Sequence, residues 1–230
     1  MIARDAYTVS LWQDHTAPYK EKNTADPGKI YDVIIVGGGI TGVSTAFLLQ
    51  DEGKDCLLLE ANNIAFGTSG GTTAHLNTLL DTPYYMLEKN FDKKAAVQVY
   101  NDVAEAIALI RHNIQRSGIE CGFEEATAYL FAQDDKQEKE LDDIGQSANE
   151  VGQETRASDS IPIPVPFTKA ISAGGQAKFN PLQYIHGLAR AYEDAGGAIL
   201  QHCRALKTEN NETVTVHTDA GVFQAKTLIY

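Results

Sequence analysis

The stretch that most constrains the fold of this chain is VIIVGGGITG, residues 33–42. Four apolar residues run directly into three glycines, and a fourth glycine follows after two more residues. Glycine in regular structure costs roughly 0.5–1 kcal/mol relative to alanine, so four of them at a strand end indicate a need for space or for an unusual turn. We interpret residues 31–36 as a strand buried on both faces, which is typical of parallel sheets covered by helices.

The glycines match the fingerprint G-x-G-x-x-G. In that pattern Gly37 turns the chain sharply, Gly39 lets the backbone approach a pyrophosphate, and Gly42 lets the next helix pack closely against the strand. The apolar spacing predicts that helix over residues 40–50, with Gly53 after its end. The first N–H groups of the helix would then face an anion.

A second apolar strand is predicted at residues 56–59, and it ends at Glu60. An acid about 20 residues beyond the fingerprint can accept the protons of ribose hydroxyls, which favours a free ribose over a 2′-phosphate. Strand, turn, helix, strand and acid in this order predict a dinucleotide-binding domain. The alternative is a glycine-rich turn in an unrelated α/β domain.

A second glycine-rich segment follows at residues 61–80, ANNIAFGTSGGTTAHLNTLL. It shows no obvious helix or strand before Leu76. A nicotinamide-binding fold would normally continue with a helix and a strand, whereas this segment can fold back over the same pyrophosphate. Four hydroxyl side chains offer donors there: Thr68, Ser69, Thr72 and Thr73.

Residues 32–60 and GTSGGTTAHL at residues 67–76 resemble the FAD-dependent oxidoreductases of the D-amino-acid oxidase and glycine oxidase superfamily. The resemblance recurs at residues 176–200, which look like the family's return helix and strand. SLWQDHTAPY, residues 10–19, is similar to one branch in which a Rieske iron–sulfur domain follows the flavin domain. The present residues contain no Cys-x-His pair for such a cluster.

The resemblance implies FAD as cofactor. Some relatives carry a flavin-linking histidine in the glycine loop, but Gly71 takes that position here, so we expect FAD to be bound non-covalently. His75, four residues later, either contacts the isoalloxazine or is a surface residue, and Asn77 shares this alternative. The cofactor-binding residues that we expect are Gly37, Gly39, Ile40, Thr41, Gly42, Glu60, Ala61, Gly67, Thr68, Ser69, Thr72, Thr73, Ala74, His75 and Ala205.

The fold class implied is α/β, an FAD-binding Rossmann-like domain with a doubly wound parallel sheet and an inserted, incomplete α+β substrate domain. We expect an N-terminal arm at residues 1–30, the first part of the FAD-binding domain at 31–80, a substrate-domain segment at 81–179, and the return helix and strands at 180–230.

Periodicity and turn signals predict the remaining elements. They are a long helix from Leu87 to Gly118, a strand at 123–132, a polar helix ending near Val151, an extended proline-rich connection at 161–167, a strand around 171–177, a helix from Pro181 with Asn180 as N-cap, and strands at 198–206, 213–218 and 223–230. The strand at 198–206 would rejoin the parallel sheet, and the resemblance implies that the backbone of residues 203–205 lies near the adenine.

Composition narrows the possible partners. A net charge of -12 and a pI near 4.9 argue against binding to nucleic acid, whose affinity comes mainly from Lys and Arg on phosphates. No apolar run reaches the length of a bilayer span, and the amino terminus shows no targeting signal. Three widely spaced cysteines favour reduced thiols and the cytoplasm. The six histidines form no paired metal-ligand motif, so no metal site is predicted.

Our functional hypothesis is an FAD-dependent oxidase or dehydrogenase that oxidises an amine or amino acid by hydride transfer to flavin N5. An NAD-dependent dehydrogenase and a non-catalytic nucleotide-binding fragment are the alternatives. The chain stops at Tyr230, at the end of an apolar strand, and we interpret it as truncated. No catalytic residue can be assigned from the sequence.

Overall fold

The computed structural model describes residues 8–230. Residues 1–7, which belong to the predicted N-terminal arm and to the segment without a targeting signal, lie outside this range. The chain divides into two compact units. The first contains the chain up to Thr73, Asn113–Cys121 and Asn180–Tyr230, and the second contains Ala74–His112 and Gly122–Phe179.

The elements follow one another along the chain in this order: α1 (Leu11–His15), β1 (Ile30–Val36), α2 (Ile40–Asp51), β2 (Cys56–Leu59), α3 (Thr68–Gly71), β3 (His75–Leu76), α4 (Tyr84–Asn90), α5 (Lys93–Ser117), β4 (Glu124–Ala132), α6 (Asp135–Val151), β5 (Thr155–Ala157), β6 (Lys169–Lys178), α7 (Pro181–Asp194), β7 (Ala198–Leu200), β8 (Ala205–Asn210), β9 (Val214–Thr218) and β10 (Gly221–Ile229). Within residues 8–230, none of the helices combines the length and the apolar character that a bilayer span requires.

The first unit is built on a six-stranded sheet in the order β7-β2-β1-β10-β9-β8. The four strands from β7 to β10 in this order are parallel, and β9 and β8 add antiparallel hairpins. Ile34 and Ile35 of β1 are fully buried, as expected for a central parallel strand with covered faces. The α/β fold class predicted from the sequence is confirmed.

Helix α7 lies in the first unit and begins as the sequence predicts. The side chain of Asn180 accepts a hydrogen bond from the backbone N–H of Gln183 at 3.1 Å, and Pro181 occupies the first turn. The four residues predicted to face inward are all buried: Leu182, Ile185, Ala189 and Tyr192. Tyr192 donates its hydroxyl proton to the carbonyl of Cys56 at 2.6 Å, which ties α7 to β2.

The prediction of one strand over residues 198–206 is wrong. Two short strands stand there, β7 and β8, and they occupy opposite edges of the sheet. Between them His202 adopts a φ of 53°, and the backbone N–H groups of His202 and Cys203 donate to the carbonyls of Asn62 and Glu60. These bonds draw the chain off the β7 edge and carry it past the carboxyl end of β2.

The second unit contains an antiparallel sheet in the order β3-β6-β4, with β5 also paired to β6. A register shift between Ala126 and Ala128 sets Thr127 against Gly174 and Gly175, which is a bulge. The proline-rich residues 161–167 form no strand, as predicted from the missing N–H donors of proline.

The predicted single helix from Leu87 to Gly118 is also wrong, because two helices, α4 and α5, replace it. Phe91 leaves the helical region, with φ at -125° and ψ at -90°. The side chain of Asp92 then accepts a hydrogen bond from the N–H of Ala95 at 2.7 Å. This contact starts a new helix in the way that an N-cap does. The apolar residues keep the same helical spacing across the break between α4 and α5, so the sequence pattern does not reveal the break.

Candidate cofactor site

The first glycine turn connects β1 to α2. Gly37 has a φ of 115°, which favours glycine, and its N–H donates to the carbonyl of Leu59 at 2.8 Å. A Cβ on Gly42 would lie 1.8 Å from the carbonyl oxygen of Gly37. The turn at Gly37 and the close approach at Gly42 therefore occur as the fingerprint predicts.

The amino-terminal end of α2 faces this turn. Gly39 is its N-cap and has no side chain with which to satisfy the first N–H groups. The N–H of Ile40 donates instead to the Ser69 hydroxyl at 3.1 Å. A Cβ on Gly39 would meet this hydroxyl at 3.2 Å, while Thr41 is exposed. A helix of this length carries partial positive charge at its start, which favours an anion.

Glu60 lies against the same turn. One oxygen of its carboxylate accepts the N–H of Gly38 at 2.6 Å, and the other accepts the N–H of Asn62 at 2.7 Å. Glu60 is half-buried at the carboxyl end of β2. The carboxylate is thus fixed beside the glycine turn.

Gly38 also packs against Glu60 in this turn, and it was not predicted because it occupies a variable position of the fingerprint. A Cβ there would lie 2.6 Å from the Cδ1 of Ile64 and 3.0 Å from the Cβ of Glu60. The run of three consecutive glycines was the available signal. Only glycine lets the backbone pass this close to the acid.

The second glycine-rich segment contains a helix, α3, where the sequence predicted irregular structure. Gly67 is its N-cap, and Gly70 is buried so tightly that a Cβ would lie 2.4 Å from the carbonyl oxygen of Ala65. The segment is helical because the small residues let this turn pack on its own preceding backbone. Ser69 is thereby presented to Ile40.

A backbone hydrogen bond joins the two glycine segments, and a buried glutamine side chain holds the second segment. The N–H of Ala65 donates to the carbonyl of Gly38 at 2.8 Å, and the N–H of Ile64 donates to the side chain of Gln201 at 2.6 Å. Gln201 is buried and was not singled out from the sequence. Nothing in its local pattern distinguishes it, since its role depends on contacts with distant segments.

The structure therefore brings together part of the predicted set around the first turn, and the rest lies elsewhere. The residues grouped there are Gly37, Gly39, Ile40, Gly42, Glu60 and Ser69. Ala61 follows Glu60 directly, Gly67 is the N-cap and Thr68 the first residue of α3, and Thr72 and Thr73 follow α3 and are exposed. Ala205 begins β8, immediately after the crossing segment.

Ala74 and His75 belong to the second unit. Ala74 is buried with a φ of 63°, whereas His75 is exposed and pairs with Lys178 as the first residue of β3. Strand structure thus begins one residue before Leu76. The side chain of Asn77 accepts the N–H of Leu79 at 2.8 Å.

Two buried thiols of the first unit have raised pKa values. Burial raises the pKa of Cys56 to about 11, and burial also raises the pKa of Cys203 above its usual value. Because the thiolate is the reactive form, neither side chain is a nucleophile at neutral pH. Within the described residues, no group of three or more His, Cys, Asp or Glu side chains could hold a metal ion.

A strand-turn-helix with a glycine fingerprint and an acid after the next strand defines a nucleotide-binding α/β protein. The chain belongs to the FAD dependent oxidoreductase family (DAO), whose model matches residues 32–229. The Rieske-domain branch and the superfamily inferred from the motifs are both represented among its relatives.

Two curated relatives illustrate the match. The chain is 31% identical over 187 residues to the putative Rieske 2Fe-2S iron-sulfur protein YhfW of Bacillus subtilis, covering 81% of this chain and 37% of the relative. It is 26% identical over 229 residues to gamma-glutamylputrescine oxidoreductase of Escherichia coli, covering 97% of this chain and 54% of the relative. The chain thus spans between about a third and somewhat over half of the length of these proteins.

Solved structures share the fold. Glycine oxidase from Geobacillus kaustophilus superposes with a TM-score of 0.73 at 19% identity, covering 86% of this chain and 54% of that one. L-Amino acid deaminase from Proteus myxofaciens superposes with a TM-score of 0.78 at 20% identity, covering 99% of this chain and 51% of that one.

Proposed function

We propose that this chain provides the dinucleotide-binding part of an FAD-dependent oxidoreductase that oxidises an amine or an amino acid. The observation that carries the proposal is the Glu60 carboxylate, held beside the glycine turn in a chain that belongs to the FAD dependent oxidoreductase family. That geometry fits the ribose and pyrophosphate of FAD.

Each part of the site has a proposed task. The N–H groups at the start of α2 would bind the pyrophosphate, with the Ser69 hydroxyl beside them. Glu60 would accept the ribose hydroxyl protons, and the backbone of residues 203–205 would border the adenine. FAD supplies the electron chemistry, namely the acceptance of a hydride at flavin N5, and the protein binds and orients it.

The substrate class rests on relatives whose names state amines or amino acids. We propose a small-molecule amine or amino acid as substrate, because the acidic chain is unsuited to nucleic acid. A cytoplasmic location is supported by the wide spacing of the three cysteines in the sequence, which favours reduced thiols over a disulfide framework.

The test is the visible absorption spectrum of the purified full-length protein with and without added FAD, followed by acid precipitation. We expect flavin bands that pass into the supernatant, since FAD is expected to be non-covalent. Bleaching of those bands under anaerobic conditions by a panel of amines and amino acids then identifies the substrate class. Binding of NAD without binding of FAD would contradict the proposal, as would a flavin that no amine or amino acid reduces.

Glu60→Gln is expected to weaken FAD binding by about 10-fold or more, because a charge-assisted hydrogen bond contributes roughly 1.5–3 kcal/mol. Titration of the protein with FAD, followed by flavin fluorescence, measures the loss. Glu52→Gln is the matched control, since Glu52 is exposed just after α2. If the Glu60 variant bound FAD as tightly as wild type, Glu60 would have no role in FAD binding.

A further inference from the structure

Residues 10–23 lie within the N-terminal arm predicted at residues 1–30, and from here on only these residues are called the arm. They lie against the second glycine segment. Three side chains of the arm donate to three backbone carbonyls within residues 66–72: Ser10 Oγ to Gly70 at 2.5 Å, Trp12 Nε1 to Thr72 at 2.8 Å, and Gln13 Nε2 to Phe66 at 3.3 Å. These bonds span α3 from the residue before its N-cap to the residue after its end. The arm thus fixes the position of the whole turn that carries Ser69.

The arm presents these donors from a preorganised helix. Ser10 and Gln13 form a capping box around α1, in which the Ser10 hydroxyl accepts the N–H of Gln13 at 3.2 Å. The Gln13 side chain accepts the N–H of Ser10 at 3.1 Å in return. The capping box therefore holds Ser10 and Gln13 in the orientation that α3 requires, and Trp12 lies between them.

The other end of the arm is anchored on Glu193 of α7. The side chain of Glu193 is fully buried and accepts hydrogen bonds from the Tyr19 hydroxyl at 2.5 Å, the Lys22 N–H at 2.8 Å and the Asn23 N–H at 2.9 Å. A buried carboxylate with three donors is a strong attachment, because charge-assisted hydrogen bonds are about twice as strong as neutral ones. The arm is therefore fixed at both ends.

Hydrogen bonds also lead from the arm to the first glycine turn. Gln201 donates its side-chain N–H to the carbonyl of Tyr19 at 3.1 Å and accepts the N–H of Ile64 at 2.6 Å. The next residue, Ala65, donates to the carbonyl of Gly38 at 2.8 Å. One connected set of bonds runs from the arm to both glycine segments.

We propose that the arm positions the second glycine segment for FAD, with Trp12 as a positioning residue, so that arm docking and FAD binding strengthen each other. The inference rests on the proposed FAD binding. Docking of the arm holds residues 66–72 where Ser69 meets α2, and FAD bound at the start of α2 stabilises the same arrangement. Such coupling is reciprocal by thermodynamic linkage.

The test is Trp12→Phe in the full-length protein, which keeps an aromatic ring and removes the N–H donor to Thr72. Loss of one hydrogen bond predicts an FAD affinity lower by about 3- to 10-fold. It also predicts faster amide hydrogen exchange in residues 66–72 of the FAD-free protein, and FAD should slow exchange in the arm. Leu11→Ala is the control, because Leu11 lies on the same helix with 62% of its surface exposed.

The outcomes separate the arm from the cofactor. A lower affinity and faster exchange in the Trp12 variant, with Leu11→Ala like wild type, would support the proposal. A Trp12 variant with a lower melting temperature but unchanged FAD affinity would overturn it, since Trp12 would then be structural only. If wild type binds no FAD, the proposed function fails and the positioning role fails with it, while exchange in residues 66–72 still decides whether the arm orders that segment.

Discussion

A Gly42→Ala variant is expected to be about 3 kcal/mol less stable than wild type. Overpacking costs typically 1–3 kcal/mol, and this site lies at the upper end because the new Cβ would stand 1.8 Å from the backbone oxygen of Gly37. A backbone atom cannot rotate away, so α2 would have to move off β1. Urea unfolding monitored by circular dichroism measures the change, and FAD affinity should fall with it.

Gly174→Ala is the matched control. Gly174 is exposed on β6, and no atom lies within 4 Å of the position that its Cβ would take. Its φ lies outside the left-handed region, so alanine should be neutral or stabilising by up to about 1 kcal/mol. Equal stability of the Gly42 variant and this control would show that α2 does not pack on the turn as described.

Glu193→Ala is the second large effect expected, with a loss of about 3 kcal/mol. The substitution removes the acceptor of the Tyr19 hydroxyl and of two backbone N–H groups, and a buried donor left without a partner costs roughly 1–3 kcal/mol. Thermal unfolding and amide exchange of residues 10–23 are the measurements. If the substitution releases the arm, the largest increase in amide exchange rate should occur in residues 10–23.

Asp194→Ala tests whether the effect belongs to the buried carboxylate. Asp194 pairs with the Lys22 ammonium group, but its side chain is 52% exposed. Exposed ion pairs contribute at most about 1 kcal/mol, so this neighbour should change stability little. If both variants lost the same stability, the buried hydrogen bonds of Glu193 would not be the cause.

Local chemistry explains which parts of the fold could be predicted from sequence. The glycine turn, α2 and α7 were predicted because short-range sequence signals fix them. Glycine at position 37 permits the positive φ of the turn, and Asn180 followed by Pro181 forms the start of α7. The pair β7 and β8 was mistaken for one strand because the interruption depends on bonds to Asn62 and Glu60, which are remote in sequence.

The candidate site was predictable to a similar extent. Glu60 was predicted because an acid at that distance has a known chemical reason, and its carboxylate lies beside the glycine turn. Trp12 was not predicted to contact the site, although Ser10-x-x-Gln13 is a capping-box signature that marks α1, the helix that contains Trp12. No local pattern could show that this helix rests on the second glycine segment, since that contact joins residues about 60 positions apart.

The pairing of β1 with β10 has a consequence for the order of folding. Ile30 is registered with Gln224 and Ile35 with Ile229, so the strand that leads into the glycine turn gains one of its two neighbours from β10, which is remote in sequence. Contacts between distant residues slow folding because loop closure precedes any gain. On the ribosome, the second unit, drawn from residues 74–112 and 122–179, emerges entirely before the first can close its sheet. The sheet of the first unit is thus begun before the second unit is synthesised and closed only after it.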